Sequence, residues 1–246
     1  MLTFIEKYAI IKTLRTHVYR IPQTKTYKLE IKSHVQHEIN ENVIQINKQH
    51  TRSNMKIIIM NGAPSSGKDQ CSLFLRKLFP SSLHFSFKRK LISLTCMIYD
   101  VDRAIWDSWY TTEGKEIPRK ELNGLSCRQA LIFVSEEVIK PKFGESYFGV
   151  QECKLLSSVL EKDYTFAISS DGGFEQELKP IADKFGCNNV NIIQLHRPGK
   201  TFEGDSRSFI NPVFIPSENI HILYNDKDLL ELEYKLLEIA NRIRNT

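Results

Sequence analysis

The chain has 246 residues, 41% hydrophobic and 26% charged, with a formal net charge of +5, the balance of an ordinary globular protein with room for a sizeable core. No uninterrupted apolar stretch approaches the ~20 residues of a membrane span, and Glu6, Lys7, Lys12 and Arg15 interrupt the core a signal peptide needs, so no membrane partner and an intracellular, cytoplasmic setting are expected. The five cysteines (Cys71, Cys96, Cys127, Cys153 and Cys187) are scattered with no C-x-x-C pair, which predicts reduced thiols and excludes a zinc-finger framework.

The charge is unevenly placed. Residues 1–54 carry nine Lys or Arg against four Glu, leaving 25 basic and 25 acidic residues in 55–246. Two domains follow: a basic N-terminal extension over 1–54 and a neutral domain over 55–246. The extension is either a solvated leader or an arm that meets nucleic-acid phosphates. Alternation at Tyr27, Leu29 and Ile31 predicts one strand within it.

At Met55 the chain enters the apolar run Ile57 to Met60 and then Gly62-Ala63-Pro64-Ser65-Ser66-Gly67-Lys68-Asp69-Gln70. This is a GxxxxGK loop between a buried strand and a helix start, the context in which such a match carries meaning. Glycines at both ends let backbone N–H groups turn toward a polyphosphate, the helix N-terminus adds its dipole, and Lys68 supplies a cation for β and γ phosphates. ATP is therefore the expected nucleotide. Asp69 stands where the usual motif places the Ser or Thr that ligates Mg²⁺, so this carboxylate is expected to hold the ion through water or to orient Lys68.

Helices are predicted over about 68–78, ended by Pro80, and after Lys88 with Leu91, Ile92, Thr95, Cys96 and Tyr99 as the buried stripe. The segment 100–123 reads as a mobile insertion whose Trp106, Trp109 and Tyr110 either pack under a loop or stack a nucleobase. A helix over 126–139 is expected to stop at Pro141, and another to run to about Leu160. The run 164–169 reads as a core strand ending at Asp171, and 190–195 as one ending at His196-Arg197-Pro198-Gly199. Charged residues 200–211 read as a short lid, 220–224 as the last strand and 228–243 as a closing amphipathic helix. Alternation of strand and helix predicts an α/β fold: a doubly wound, mostly parallel sheet flanked by helices, of P-loop nucleotide-kinase type.

Phosphoryl transfer needs in-line positioning and positive charge around the moving group. Lys68, Arg128 at a helix start, Arg197 at a strand end and Arg207 in the lid supply the charge. Asp171, at the carboxyl edge of the sheet, is placed to hold Mg²⁺ through water or to accept a proton from an acceptor hydroxyl.

The order of motifs resembles the phage deoxynucleoside monophosphate kinase family over nearly all of 55–246. The resemblance rests on GAPSSGKDQ, Phe85-Ser-Phe-Lys88, Lys115-Glu-Ile-Pro118, Ser126-Cys-Arg128-Gln-Ala-Leu, Phe143-Gly-Glu-Ser-Tyr147, Asp171-Gly-Gly-Phe174-Glu-Gln-Glu177 and Leu195-His-Arg197-Pro-Gly199. It implies an ATP-dependent kinase in viral nucleotide or DNA metabolism, in the host cytoplasm. It also implies that Arg128 meets the acceptor phosphate, with Lys88, Asp205 and Arg207 on the substrate and lid side. Two departures stand out. The family reads Asp-x-Arg-Phe where this chain has Asp171-Gly172-Gly173-Phe174, and a His and Glu pair where it has Gly204-Asp205-Ser206-Arg207. Losing a phosphate-binding arginine suggests a less charged acceptor, such as the hydroxyl of 5-hydroxymethyluracil in DNA during thymidine hypermodification. A free deoxynucleoside monophosphate is the alternative acceptor, and a nucleotide-binding module without catalysis is the alternative of another class. A second copy of the chain, as a homodimer, is a further candidate partner.

Overall fold

Ile57, Ile58, Ile59 and Met60 are all fully buried, which a strand achieves only inside a sheet covered on both faces. The computed structural model describes residues 55–246 except 161–163, 173 and 206. The expected extension over 1–54, with its strand and its nucleic-acid role, lies outside the described residues. In chain order the elements are β1 (Lys56–Gly62), α1 (Lys68–Leu78), β2 (Ser82–Phe85), α2 (Phe87–Ile98), α3 (Arg103–Trp109) and α4 (Cys127–Phe133). A π-helical turn (Val134–Ile139) follows, then α5 (Lys140–Phe143), α6 (Tyr147–Ser158), β3 (Phe166–Ser169), α7 (Glu175–Phe185), β4 (Val190–His196), β5 (Ile220–Tyr224) and α8 (Leu229–Asn245).

The strands form one parallel sheet in the order β2-β3-β1-β4-β5. Alternate β1 side chains leave on opposite faces. Ile57 and Ile59 join Leu156, Leu178, Ile181 and Phe185 on the side of α6 and α7. Ile58 and Met60 join Cys71, Leu75, Leu232, Leu236 and Ile239 on the side of α1 and α8. With helices on both faces, the sheet is doubly wound and parallel, as expected. The chain reverses direction across the sheet beside β1, so the crevice at the carboxyl ends of β1 and β3 is where such a fold binds ligands.

Several local expectations are corrected. Residues 100–123 are not a mobile insertion: α3 and two short 3₁₀ turns pack there, and Trp106 is fully buried against Ile92, Leu122 and Cys127. Packing, not base stacking, uses that ring. The helix over 126–139 does not end at Pro141. It widens into the π turn and continues through α5, with Pro141 just past the junction of the two. β2 and α7 were not anticipated. β2 is only four residues, and its pairing with β3 makes it a strand. α7 runs through Pro180, a cost of about 3 kcal/mol, offset by burial of Leu178, Ile181, Ala182 and Phe185. The five cysteines are free thiols. Among the described residues, no helix is long and apolar enough to cross a membrane.

α6 and α7 approach so closely that a Cβ on Gly149 would lie 1.9 Å from the Glu177 carbonyl oxygen. Overpacking a backbone contact forces the helices apart. Gly149→Ala is expected to destabilise the fold by about 1–3 kcal/mol, read as a lower urea midpoint with an unchanged m-value.

Candidate active site

The phosphate loop leaves β1 at Gly62 and enters α1 at Gly67, whose φ of 107° is one that glycine alone adopts without strain. Its carbonyls are held by neighbours: Arg197 Nη1 donates to Ser65 O at 3.2 Å, and Asn225 Nδ2 donates to Ser66 O at 2.8 Å. The first α1 N–H to find an acceptor is that of Cys71, bonded to Gly67 O. The N–H groups of residues 67–70 are the open donors every helix start carries. Ser66 Oγ is fully buried and has no partner. An orphaned hydroxyl beside four open N–H groups is a cradle for anionic oxygens, so the loop fits the polyphosphate of ATP.

Lys68 opens α1, half-buried, and Nζ folds back to donate to Gly62 O (2.7 Å) and Ala63 O (2.6 Å). Burial, together with the charges of Arg207 and Lys88, lowers its pKa from 10.5 to about 8, against the opposing pull of Asp69 and Asp205. Burial is the largest cause of the shift, and two cations and two carboxylates act on the group beside it.

Asp171 sits at the end of β3 with 3% exposure. Its Oδ1 accepts from Phe87 N (3.2 Å) and Ser169 Oγ (2.8 Å), and its Oδ2 from Ser86 Oγ (2.9 Å) and Lys88 N (3.0 Å). A carboxylate has about four lone-pair sites, and four donors occupy them. The side chain thus caps the N-terminus of α2, where the helix dipole favours its charge, and aims Lys88 at the loop. Asp69 is exposed on α1. Among the described residues no three His, Cys, Asp or Glu side chains gather as a metal cage. The carboxylates therefore fit Mg²⁺ only in the manner typical of that ion, held chiefly by water and substrate phosphates.

Beside the loop opens a pocket of about 110 Å³. Phe87, Leu91, Leu131, Ile132, Phe148 and Phe174 give it apolar walls, and Lys88, Arg128, Asp171, Asp205 and Arg207 line it as well. Arg207 Nε and Nη2 grip Asp205 at 2.8 and 2.6 Å. Arg128 reaches Asp205 through Nη1 at 3.3 Å and Glu116 through Nε at 2.7 Å. Burial pushes the Asp205 carboxyl up, but the hydrogen bonds and charge of Arg207 outweigh it and hold the group below its usual range. The segment expected as a lid is pinned at its far end: Asn61 bonds Ser208 O and Ile210 N, and Gln194 bonds Ile210 O. Only the part carrying Asp205 and Arg207 overhangs the pocket.

Of the residues singled out from sequence, Lys68, Lys88, Asp205 and Arg207 come together electrostatically, and Arg128 joins them through Asp205. Arg197 braces the loop from outside, and Gln70 is exposed on α1. Gly173, where the family carries arginine, lies outside the described residues. Of the other pocket residues, Phe174 and Glu177 enter the sequence reading only as part of a motif, and Phe148, Ser135 and Glu136 are given no role in it. The π turn, which places Ser135 and Glu136 on the wall, has no clear sequence signal.

No protein-family model and no curated protein matches the chain. Among solved structures it is similar to a sugar kinase from Janibacter sp. HTCC2649, at 9% identity and a TM-score of 0.41 over 77% of this chain and 98% of that one. It is also similar to a gluconokinase from Sinorhizobium meliloti 1021, at 9% identity and a TM-score of 0.39 over 77% and 93%. At these values the likeness says nothing of substrate.

Two outcomes follow from the geometry. A polyphosphate binds the ammonium form of Lys68, so affinity for ATP is expected to hold near neutrality and to fall as pH rises through about 8, checked by titrating a fluorescent ATP analogue across that range. Asp171→Asn turns an amide toward two donors and is expected to cost about 1–3 kcal/mol, measured as a lower melting temperature.

Proposed function

We propose that the protein is an ATP-dependent phosphotransferase whose acceptor occupies the pocket beside the loop. The observation that carries this reading is the crowding of Lys68, Lys88 and Arg207 where loop and pocket meet. Burial already disfavours the Lys68 charge, and a polyphosphate that pairs with it relieves that cost. Fixed positive charge there stabilises charge on a phosphoryl group in transit without reorganisation. Mg²⁺, when bound, neutralises phosphate charge. The protein's own part is positioning: the loop N–H groups and Lys68 hold the donor, Asp171 fixes Lys88, and Arg207 stands between donor and acceptor. The acceptor oxygen forms the new P–O bond as the γ-phosphate bond to ADP breaks, and its proton leaves to solvent or to a pocket carboxylate.

For the acceptor, charge balance favours a neutral hydroxyl. Arg128 and Arg207 are already matched by Glu116 and Asp205, so a dianion has no unpaired arginine to meet. With Gly173 replacing the family's arginine, this supports 5-hydroxymethyluracil in DNA as the acceptor, reached by flipping the base, with the basic residues 1–54 helping to hold the strand. A second reading has its own support: two arginines converging on one carboxylate is also the geometry of a clamp that a deoxynucleoside monophosphate enters by displacing Asp205.

An acceptor screen with labelled ATP decides between them. Label is expected in hydroxymethyluracil DNA and not in unmodified DNA; label only in free monophosphates transfers the assignment to the second reading, and no label in any acceptor overturns the kinase reading. Lys68→Met is expected to lower turnover by roughly 10²-fold or more with an unchanged melting temperature, because the fold already disfavours that charge.

A further inference from the structure

The pocket wall formed by the start of α7 and the π turn presents two glutamates, of which Glu136 is paired with a lysine and partly exposed while Glu177 is buried without a cationic hydrogen-bond partner. Glu136 Oε1 accepts from Lys140 Nζ at 2.7 Å and from Ser135 Oγ at 3.0 Å. Lys140, itself buried, lies 3.7 Å over the Phe174 ring. Glu177 is 4% exposed, and its Oε2 accepts from Phe174 N at 3.1 Å. Its Oε1 accepts no hydrogen bond from the protein and is not among the buried, partnerless atoms, so what reaches it comes from the pocket that the residue lines. Around it stand Phe148, Phe174, Leu131 and Leu91, surfaces suited to the faces of a flat ring.

A ring seated between apolar walls loses water from its edge, and each edge group left unpaired costs about 1–3 kcal/mol. A buried carboxylate oxygen with spare capacity meets that need only with a donor, since an acceptor facing it repels. We propose that Glu177 is the specificity-determining residue of the acceptor pocket, receiving on Oε1 the ring N–H of a lactam base such as a uracil and rejecting rings that present a bare nitrogen there. This rests on the acceptor reading of the pocket above and names the class of ring it takes. Burial, with Asp171 and Glu136 nearby, lifts the Glu177 carboxyl to about 7 against the opposing pull of Phe174 N–H and Lys140. With Oε2 held by Phe174 N–H, protonation would place the hydrogen on Oε1 and make it a donor, so the assignment belongs to the ionised form and the binding test is run above about pH 8.

The structural alternative is that Glu177 only caps α7, and the test separates the two. Binding to the full chain is measured by calorimetry, which needs no phosphoryl transfer. The probes are 5-hydroxymethyl-2′-deoxyuridine, its N3-methyl derivative and 5-hydroxymethyl-2′-deoxycytidine. The wild-type protein is expected to bind the first at least roughly tenfold more tightly than the other two. Glu177→Gln keeps a carbonyl for Phe174 N and turns an amide donor to the pocket, so the preference for uridine over cytidine should shrink or reverse at an unchanged melting temperature. Equal binding of the uridine and its N3-methyl derivative, an unchanged preference in Glu177→Gln, or no binding of any probe overturns the proposal. Binding with the expected preference but without phosphate transfer in the acceptor screen leaves this assignment standing and removes the kinase reading.

Discussion

The four hydrogen bonds that converge on Asp171 hold the two halves of the molecule in register. The carboxylate leaves the sheet at the end of β3 and grips the first N–H groups of α2, the helix that begins the helical layer over the site. Charged hydrogen bonds of this kind are worth about 1.5–3 kcal/mol each, and the helix dipole adds to them. Everything on α2 that faces the pocket, from Phe87 and Lys88 to Leu91, takes its position from this anchor. A residue at the strand edge of an α/β protein invites a chemical role. Here its oxygens are occupied by the scaffold, and its influence on chemistry passes through the residues it places.

Electrostatics divides the crevice into two unlike regions. At the loop, burial and the charges of Arg207 and Lys88 hold Lys68 where its proton is less secure than in water. At the pocket rim, Arg128 and Arg207 are matched by Glu116 and Asp205, and Asp205 occupies the place a ligand oxyanion would take. On the function proposed above, the first region takes polyphosphate and the second a partner of lower charge. Arg207 belongs to both, through its effect on Lys68 and its grip on Asp205. The same segment that carries this arginine is fastened by Asn61 and Gln194 at its far end, so its reach is short and its aim is defined.

Local chemistry made much of this legible in the chain itself. A strand apolar at every position, a glycine-bounded loop and a following lysine specify their geometry within fifteen residues, so β1, the phosphate loop and α1 lie where the pattern put them. The placement of Asp171 at the carboxyl edge was legible for the same reason, because a run of β-forming residues ending in a turn has only one place to deliver its last side chain. Trp106 was not, since an aromatic among charges reads alike whether it packs or stacks, and the choice fell to Leu122 and Cys127 closing over it.

Tertiary structure decided what depends on partners far apart in the chain. Three of the donors to Asp171, on Ser86, Phe87 and Lys88 at the start of α2, lie more than eighty residues earlier, and Arg128 meets Asp205 across 77 residues. No local pattern encodes such pairings. α7 is helical despite Pro180 because its apolar side chains are buried against the sheet, and only once it forms does Glu177 come to the pocket wall. The chain by itself determined a phosphate-binding loop on a parallel α/β scaffold, because backbone geometry there follows from neighbouring residues. Which carboxylates are engaged by the scaffold and which remain open to a ligand was decided by packing, because a hydrogen-bond acceptor is free or filled only according to what the fold brings beside it.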